Sequence, residues 1–228
     1  GRPLSVLLVQ VDDAPDLWRK TLDQVGLACA DGLEVTAQVG SRAIGMLMGL
    51  EATVHPFATH PLWLEMSALS PKERFERLRD APGLRRRLVK ERPDDGHIKW
   101  MEEVLQRTFE IDEIVDYEPM PENSISARAK AKGRDPFDLA LELLLANNGQ
   151  TLLLHPFENY CAGNLEVVKE MLEDPNTVCG VADAGAQVGI ICDASSPTSL
   201  LTHWGRDRSR GEKLSLEFLV RKQTFDTA

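Results

Sequence analysis

The feature that most constrains this chain is an apolar run, "LSVLLVQV" at residues 4–11, cut off by Asp12, Asp13, Ala14 and Pro15 and followed by a helical pattern and a second apolar run. A continuous apolar stretch of that kind reads as a strand buried on both faces, as in a parallel sheet. Over residues 16–30, Leu17, Leu22, Val25 and Leu27 supply apolar positions at helical intervals. Gly32 then turns the chain into a strand over residues 33–39. A strand–helix–strand crossover of this size implies parallel pairing.

The same grammar returns near the other end. "GQTLLLHPF" reads as a strand ending near His155, residues 164–173 as a helix, and "TVCGVAD" as a strand after Pro175. Further helices are expected over residues 199–206 and from Ser215, an N-cap type, onward. The intervening residues 41–146 read as a mainly helical insertion, with helix starts at Ser70-Pro71 and Asp135-Pro136. The expected fold class is α/β, with four parallel strands in two β/α pairs, which is half of an eight-stranded (β/α)8 barrel. Barrel chemistry sits at the C-terminal ends of the strands. Three such ends carry polar residues: Gln38 with Arg42 beyond it, His155 with Asn159 beyond it, and Asp183.

Charge narrows the partners. The 26 Lys and Arg residues face 36 Asp and Glu, a formal net charge of −10. A nucleic acid or an anionic membrane needs a basic footprint that this balance does not supply. The four cysteines are widely spaced with no C-x-x-C pair, as in reduced thiols of a cytoplasmic protein. No apolar run reaches membrane-spanning length, and no basic-then-apolar leader is present. The chain enters a strand within its first few residues, which suggests that something upstream is missing.

Asp183 has two readings. Aspartate before small residues is a common turn signal. A carboxylate at the last position of a strand, with Ala184 and Gly185 leaving space above it, can also ligate a divalent metal and relay a proton. His55 and His60 are five apart with two prolines in "VHPFATHP", so the helical i, i+4 ligand spacing is absent. His97 reads as solvated and His203, beside Trp204, as packed. His155 is the strongest of the five because it closes a strand, and it serves equally well as a structural residue. "DAGAQVG" lacks the Gly-Lys-Ser/Thr of a P-loop, and the basic stretch at residues 83–92 reads as a solvated helix face.

Several stretches, in order and covering nearly the whole chain, resemble the N-acyl-D-amino-acid deacylase branch of the amidohydrolase superfamily. They are "LEVTAQVGSRAIGMLMGLEATVHPF", "DYEPMPENSISARAKAKGRDPFDLALELLL", "HPFENYCAGNLEVVKEMLEDPNTVCGVADAGAQVG" and "CDASSPTSLLTHWGRDRSRGEKLSLEFLVRKQT". The resemblance implies a metal-dependent (β/α)8 barrel, usually with zinc, that hydrolyses an amide through a metal-bound water. The family's strand-eight motif runs Ser-Asp-Gly-Gly-Ala-His-Val-Gly and matches residues 182–189. Asp183 then carries over as the proton-transfer residue beside the metal and as its one expected ligand here. Gln187 stands where the family has His, and glutamine does not titrate near neutrality. Arg42, in the family's Pro-Arg-Pro-hydrophobic-Gly stretch, would hold an acyl-amino acid's carboxylate. Gln38 and His155 join Gln187 as expected substrate contacts.

The family's first-strand His-x-His ligands have no match here, so the resemblance covers strands five to eight of the barrel. The expected function is hydrolysis of the amide bond in N-acyl-D-amino acids or related small amides. The isolated chain is then expected to retain no zinc and to self-associate. The rival reading is a barrel that has lost catalysis and serves as a binding or assembly module.

Overall fold

The computed structural model describes residues 2–111, 115–182, 189–191 and 193–228. The chain divides into two compact units: Gly1–Gly45 with Pro156–Ala186 and Ile191–Ala228, and Met46–His155 with Gln187–Ile190. In chain order the elements are β1 (Leu4–Leu8), α1 (Leu17–Ala30), β2 (Val35–Val39), β3 (Ile44–Met48), α2 (Pro61–Leu64), α3 (Pro71–Asp80), α4 (Pro82–Lys90) and α5 (Gly96–Val104). There follow β4 (Phe109–Glu110), α6 (Ile125–Ala131), α7 (Pro136–Leu144), β5 (Leu153–Glu158), α8 (Glu166–Glu173), β6 (Thr177–Cys179), α9 (Ser196–Thr202) and α10 (Leu216–Gln223). The class is α/β.

In the first unit β1, β2 and β6 form a three-stranded sheet in that order. Both pairings are parallel, with Leu4 opposite Val35 and Ala37 opposite Thr177. Strand alternation splits the residues between two faces. Leu8, Ala37 and Val39 are buried with Trp18 and Val25 of α1, Val168 and Met171 of α8, and Leu219 of α10. The other face carries Ser5, Leu7, Thr36, Gln38 and Val178. Helix α1 ends where Gly32 adopts φ 81, with its N–H on the Cys29 carbonyl and the Leu33 N–H on the Ala28 carbonyl. That paired closure needs a left-handed residue, which glycine supplies without steric cost.

The second unit is mainly helical, and its helix starts are chemically marked. Ser70 caps α3 in a reciprocal box with Glu73, Asp135 caps α7 and Asp95 caps α5. Phe57, Leu78, Leu88, Met101 and Phe137 are buried in it. At roughly 1.5–3 kcal/mol for each such side chain taken from water, burial of this kind holds the unit.

Several expectations are corrected. The parallel sheet has three strands, not four: β5 pairs antiparallel with β4, Phe109 opposite Leu154, in a second sheet of order β3-β5-β4. Leu153, Leu154 and His155 are buried, as an apolar strand should be. The run itself does not say which partner it takes, because packing against neighbours decides that. His155 consequently lies inside β5 instead of closing it. The run at residues 4–11 is also not buried on both faces: β1 is an edge strand, with Leu4 54% and Leu7 58% exposed.

The histidines of the second unit serve local structure. The Nδ1 of His55 accepts the Phe57 N–H, and that of His60 accepts the Leu62 N–H as the cap of α2. His97, expected in solvent, is half-buried and donates from Nε2 to the His55 carbonyl. His55 also lies edge-on to Trp63, with ring centres 4.2 Å apart.

Burial is the main cause that lowers His55 from 6.5 to about 3, and it also lowers His60. Between those values the unfolded chain binds a proton that the folded chain refuses. Stability from His55 is therefore complete above pH 6.5 and is lost as pH falls toward 3, at up to about 1.4 kcal/mol per pH unit. Chemical denaturation between about pH 7 and about pH 5 should show this slope. His55→Asn, whose Oδ1 can take the Phe57 N–H, should flatten it.

Candidate functional site

In the first unit the segments leaving the strands meet through polar contacts. Beyond β1, the Gln10 N–H donates to Asn159 Oδ1 at 2.7 Å, and the Asn159 N–H returns to the Gln10 carbonyl at 2.9 Å. The Gln10 side chain donates to the Pro15 carbonyl and accepts the Cys161 N–H. Cys161 Sγ donates to Asp12 Oδ1 at 2.9 Å. Arg210 donates to the hydroxyl of Tyr160, which is fully buried. The loop after β1 and the loop after β5 are thus locked together across 149 residues of sequence.

Beyond β2, Arg42 turns inward. Its Nη2 lies 3.1 Å from Asp193 Oδ1 and donates to Ser195 Oγ at 3.0 Å. Both charged side chains are only 5% exposed. Ser41 Oγ donates to the Ser196 carbonyl at 2.7 Å, and the indole N–H of Trp204 donates to the Ser41 carbonyl at 2.6 Å. Nothing in the local sequence pairs Arg42 with Asp193, because the contact spans the chain. The one signal was that Asp193 falls shortly after the strand-end motif.

Gln38 stays on the exposed face of the sheet, where Nε2 donates to Ser5 Oγ at 2.8 Å. Gly180 accommodates it, since a β-carbon there would meet Gln38 Oε1 at 2.9 Å. His155 belongs to the second unit, where its Nδ1 donates to the Arg107 carbonyl at 3.1 Å. Asp183 and Gln187 lie outside the described residues. The chain is described as far as Ala182, and just before it Val181 stands at φ 59. A β-branched side chain in the left-handed region costs on the order of 1–3 kcal/mol.

Near that point a cavity of about 160 Å3 is lined by Ser41, Cys179, Val181, Ala182, Pro197 and Leu200, among others. Burial pushes the Cys179 thiol up to about 11, so it stays protonated and makes a poor nucleophile. Cys29 and Cys161, like Cys179, are half-buried and take part in no disulfide among the described residues. Among the described residues no three His, Cys, Asp or Glu side chains form a group that could hold a metal ion. Nor is any helix among them long and apolar enough to cross a membrane.

Comparison with known proteins adds no relative: no protein-family model, no curated protein and no solved structure matches the chain.

Two outcomes test this geometry. Arg42→Ala or Asp193→Ala alone should cost about 3–5 kcal/mol in urea denaturation, since each removes the counter-charge of a buried ion. The double replacement Arg42→Met with Asp193→Leu should cost clearly less than the sum of the two. At Val181, substitution by glycine should shift stability by less than about 1 kcal/mol, because relief of strain offsets lost burial. Val178→Gly, made within regular β6, should cost about 2 kcal/mol.

Proposed function

We propose that this chain carries the proton-transfer part of an amide hydrolase acting on N-acyl-D-amino acids or related small amides. One observation supports this above the others. Gln10, Arg42, Asn159 and Val181, which follow four separate strands, come within one unit, and Val181 stands two residues before Asp183. Sites in open and closed parallel α/β folds lie at the carboxyl ends of their strands. The family motif that residues 182–189 resemble carries its aspartate at such a strand end.

In this reading water adds to the scissile carbonyl carbon as Asp183 takes its proton. The C–N bond then breaks while Asp183 delivers that proton to the departing nitrogen. Gln187 offers hydrogen bonds but no titration. Arg42 and Asp193 are together electrically neutral, so Arg42 first orders the segment that carries Asp193 and Ser195. A substrate carboxylate would engage it beside Asp193. The described residues do not make a zinc ligand set, and no step is assigned to zinc.

The finer architecture belongs to the same proposal: the strand–helix units correspond to the last four of a (β/α)8 barrel. Parallel β1-β2-β6, with α1, α8 and α10 packed on its helical side, supports it. The antiparallel pairing of β5 is the departure. Gln187, which stands where the family motif has His, favours one second reading, a noncatalytic binding module. Hydrolysis of N-acetyl-D-amino acids by the full-length protein separates the two. Asp183→Asn should keep the fold and lower turnover by about 10²–10⁴-fold; a loss within threefold would remove Asp183 as the proton carrier.

Self-association of the chain is part of this proposal. An edge strand with exposed leucines is a template for another chain. Sedimentation at micromolar concentration should show a dimer or larger species, and Leu7→Lys, which places a charge on that edge, should shift it toward monomer.

A further inference from the structure

The cavity beside Val181 and Ala182 belongs wholly to the first unit. Cys179 at the end of β6, Leu200 in α9 and Gln223 in α10 meet around it. Its burial is graded. Leu200, Ser41 and Ser196 are almost sealed from solvent, whereas Pro197 and Thr227 are exposed and form the rim past which a ligand enters.

Charge and size select the occupant. None of the lining residues is an acid, a base or a histidine. Cys179 is neutral as well, since burial pushes its thiol up to about 11. Lys222 acts on that thiol electrostatically, but its Nζ donates to the Asp174 carbonyl at 2.8 Å and it does not line the cavity. The Ser41 hydroxyl is engaged by the Ser196 carbonyl at 2.7 Å, and the Thr227 hydroxyl by the Lys222 carbonyl at 2.9 Å. Among the described residues the Ser196 hydroxyl and the Gln223 carboxamide make no hydrogen bond. An apolar wall with a few polar groups is the ordinary make-up of a small-molecule site. A charged group entering it would lose its water and meet no counter-charge. An apolar cavity of about 150 Å3 holds a benzene ring. At about 160 Å3 this one has room for a phenyl ring or a chain of about six carbons.

Position ties the cavity to the candidate chemistry. Ala182 lines it and is followed directly in the chain by Asp183. Val181, also in the wall, holds the strained φ of 59, and backbone strain of this kind concentrates at active sites and ligand clamps. We propose that this cavity receives an uncharged hydrocarbon group of the substrate, of about six carbons, carried either on the amino-acid side chain or on the acyl chain. This rests on the amide-hydrolase reading and assigns the substrate selectivity of the same site.

The test titrates N-acylated amino acids into the full-length protein and follows the Leu200 methyl resonances by NMR, assigned by their disappearance in Leu200→Met. N-acetyl-D-phenylalanine carries a ring on the side chain, and N-hexanoyl-D-alanine carries its carbons in the acyl chain. The methyls should move saturably with the first if the side chain is the occupant and with the second if the acyl chain is. N-acetyl-D-glutamate, which brings a second carboxylate, should bind at least about tenfold more weakly than the better of the two. Gln223→Phe loses no side-chain hydrogen bond and fills the cavity. It should keep the unfolding temperature and weaken the better ligand at least about tenfold, while N-acetyl-D-alanine stays within about twofold. Ligand that binds or is hydrolysed while the Leu200 methyls stay still would place its hydrocarbon group elsewhere and overturn this inference alone. Unchanged affinity in Gln223→Phe, or N-acetyl-D-glutamate bound as tightly as the others, would overturn it too. Moving methyls and weakened Gln223→Phe binding without hydrolysis would leave the pocket standing and remove the hydrolase reading. Neither binding nor hydrolysis would remove both.

Discussion

The contact on which the first unit most depends is the ion pair of Arg42 and Asp193. Each charge is nearly sealed from water, and a sealed ion is tolerable only when its partner and its remaining hydrogen bonds are in place. The neighbouring contacts fall into line with that demand. Ser195 accepts from the same guanidinium nitrogen, Ser41 is tied to Ser196, and Trp204 is tied to Ser41. The segment after β2 is thereby fastened to the start of α9, more than 150 residues later. Apolar burial alone would not specify this, since it rewards area and not partner identity.

Where the sequence was legible, the reason is local. Helix α1 announces itself through Leu22 and Val25 and stops at Gly32; α3, α7 and α10 start at Ser70, Asp135 and Ser215, each of which accepts a backbone N–H of its first turn. These signals act within four or five residues, so single-sequence reasoning reaches them. Strand pairing is different. "TLLLHPF" was legible as a buried strand but not as the antiparallel partner of Phe109 and Glu110, two residues with no strand pattern of their own. The exposed flank of β1 was illegible for the related reason that a run of leucines reads the same whether one face or both are covered.

The candidate site divides along the same line. Arg42 and Asn159 were visible as polar residues just beyond strand ends. Their partners, Asp193 and Gln10, became visible only in space. The strained φ of Val181 has no sequence signal at all, because valine is the residue a strand end would favour and a left-handed turn would not. His155 was legible as a polar residue in an apolar strand. Its use of Nδ1 on the Arg107 carbonyl belongs to the second unit and not to the strand-end cluster.

Those contacts give the cluster an electrostatic character that bears on chemistry. The loops are joined by a paired charge, by Gln10 and Asn159 amides, and by serine hydroxyls. Such a cluster is polar but near neutral, even though the chain as a whole carries −10. A neutral, desolvated frame discriminates poorly by net charge and well by hydrogen-bond geometry, since each fixed donor or acceptor left unmatched costs its full desolvation. On the amide-hydrolase proposal, the amide group of a substrate suits such a frame, because it offers both an acceptor and a donor without bringing a charge of its own that the frame would have to compensate.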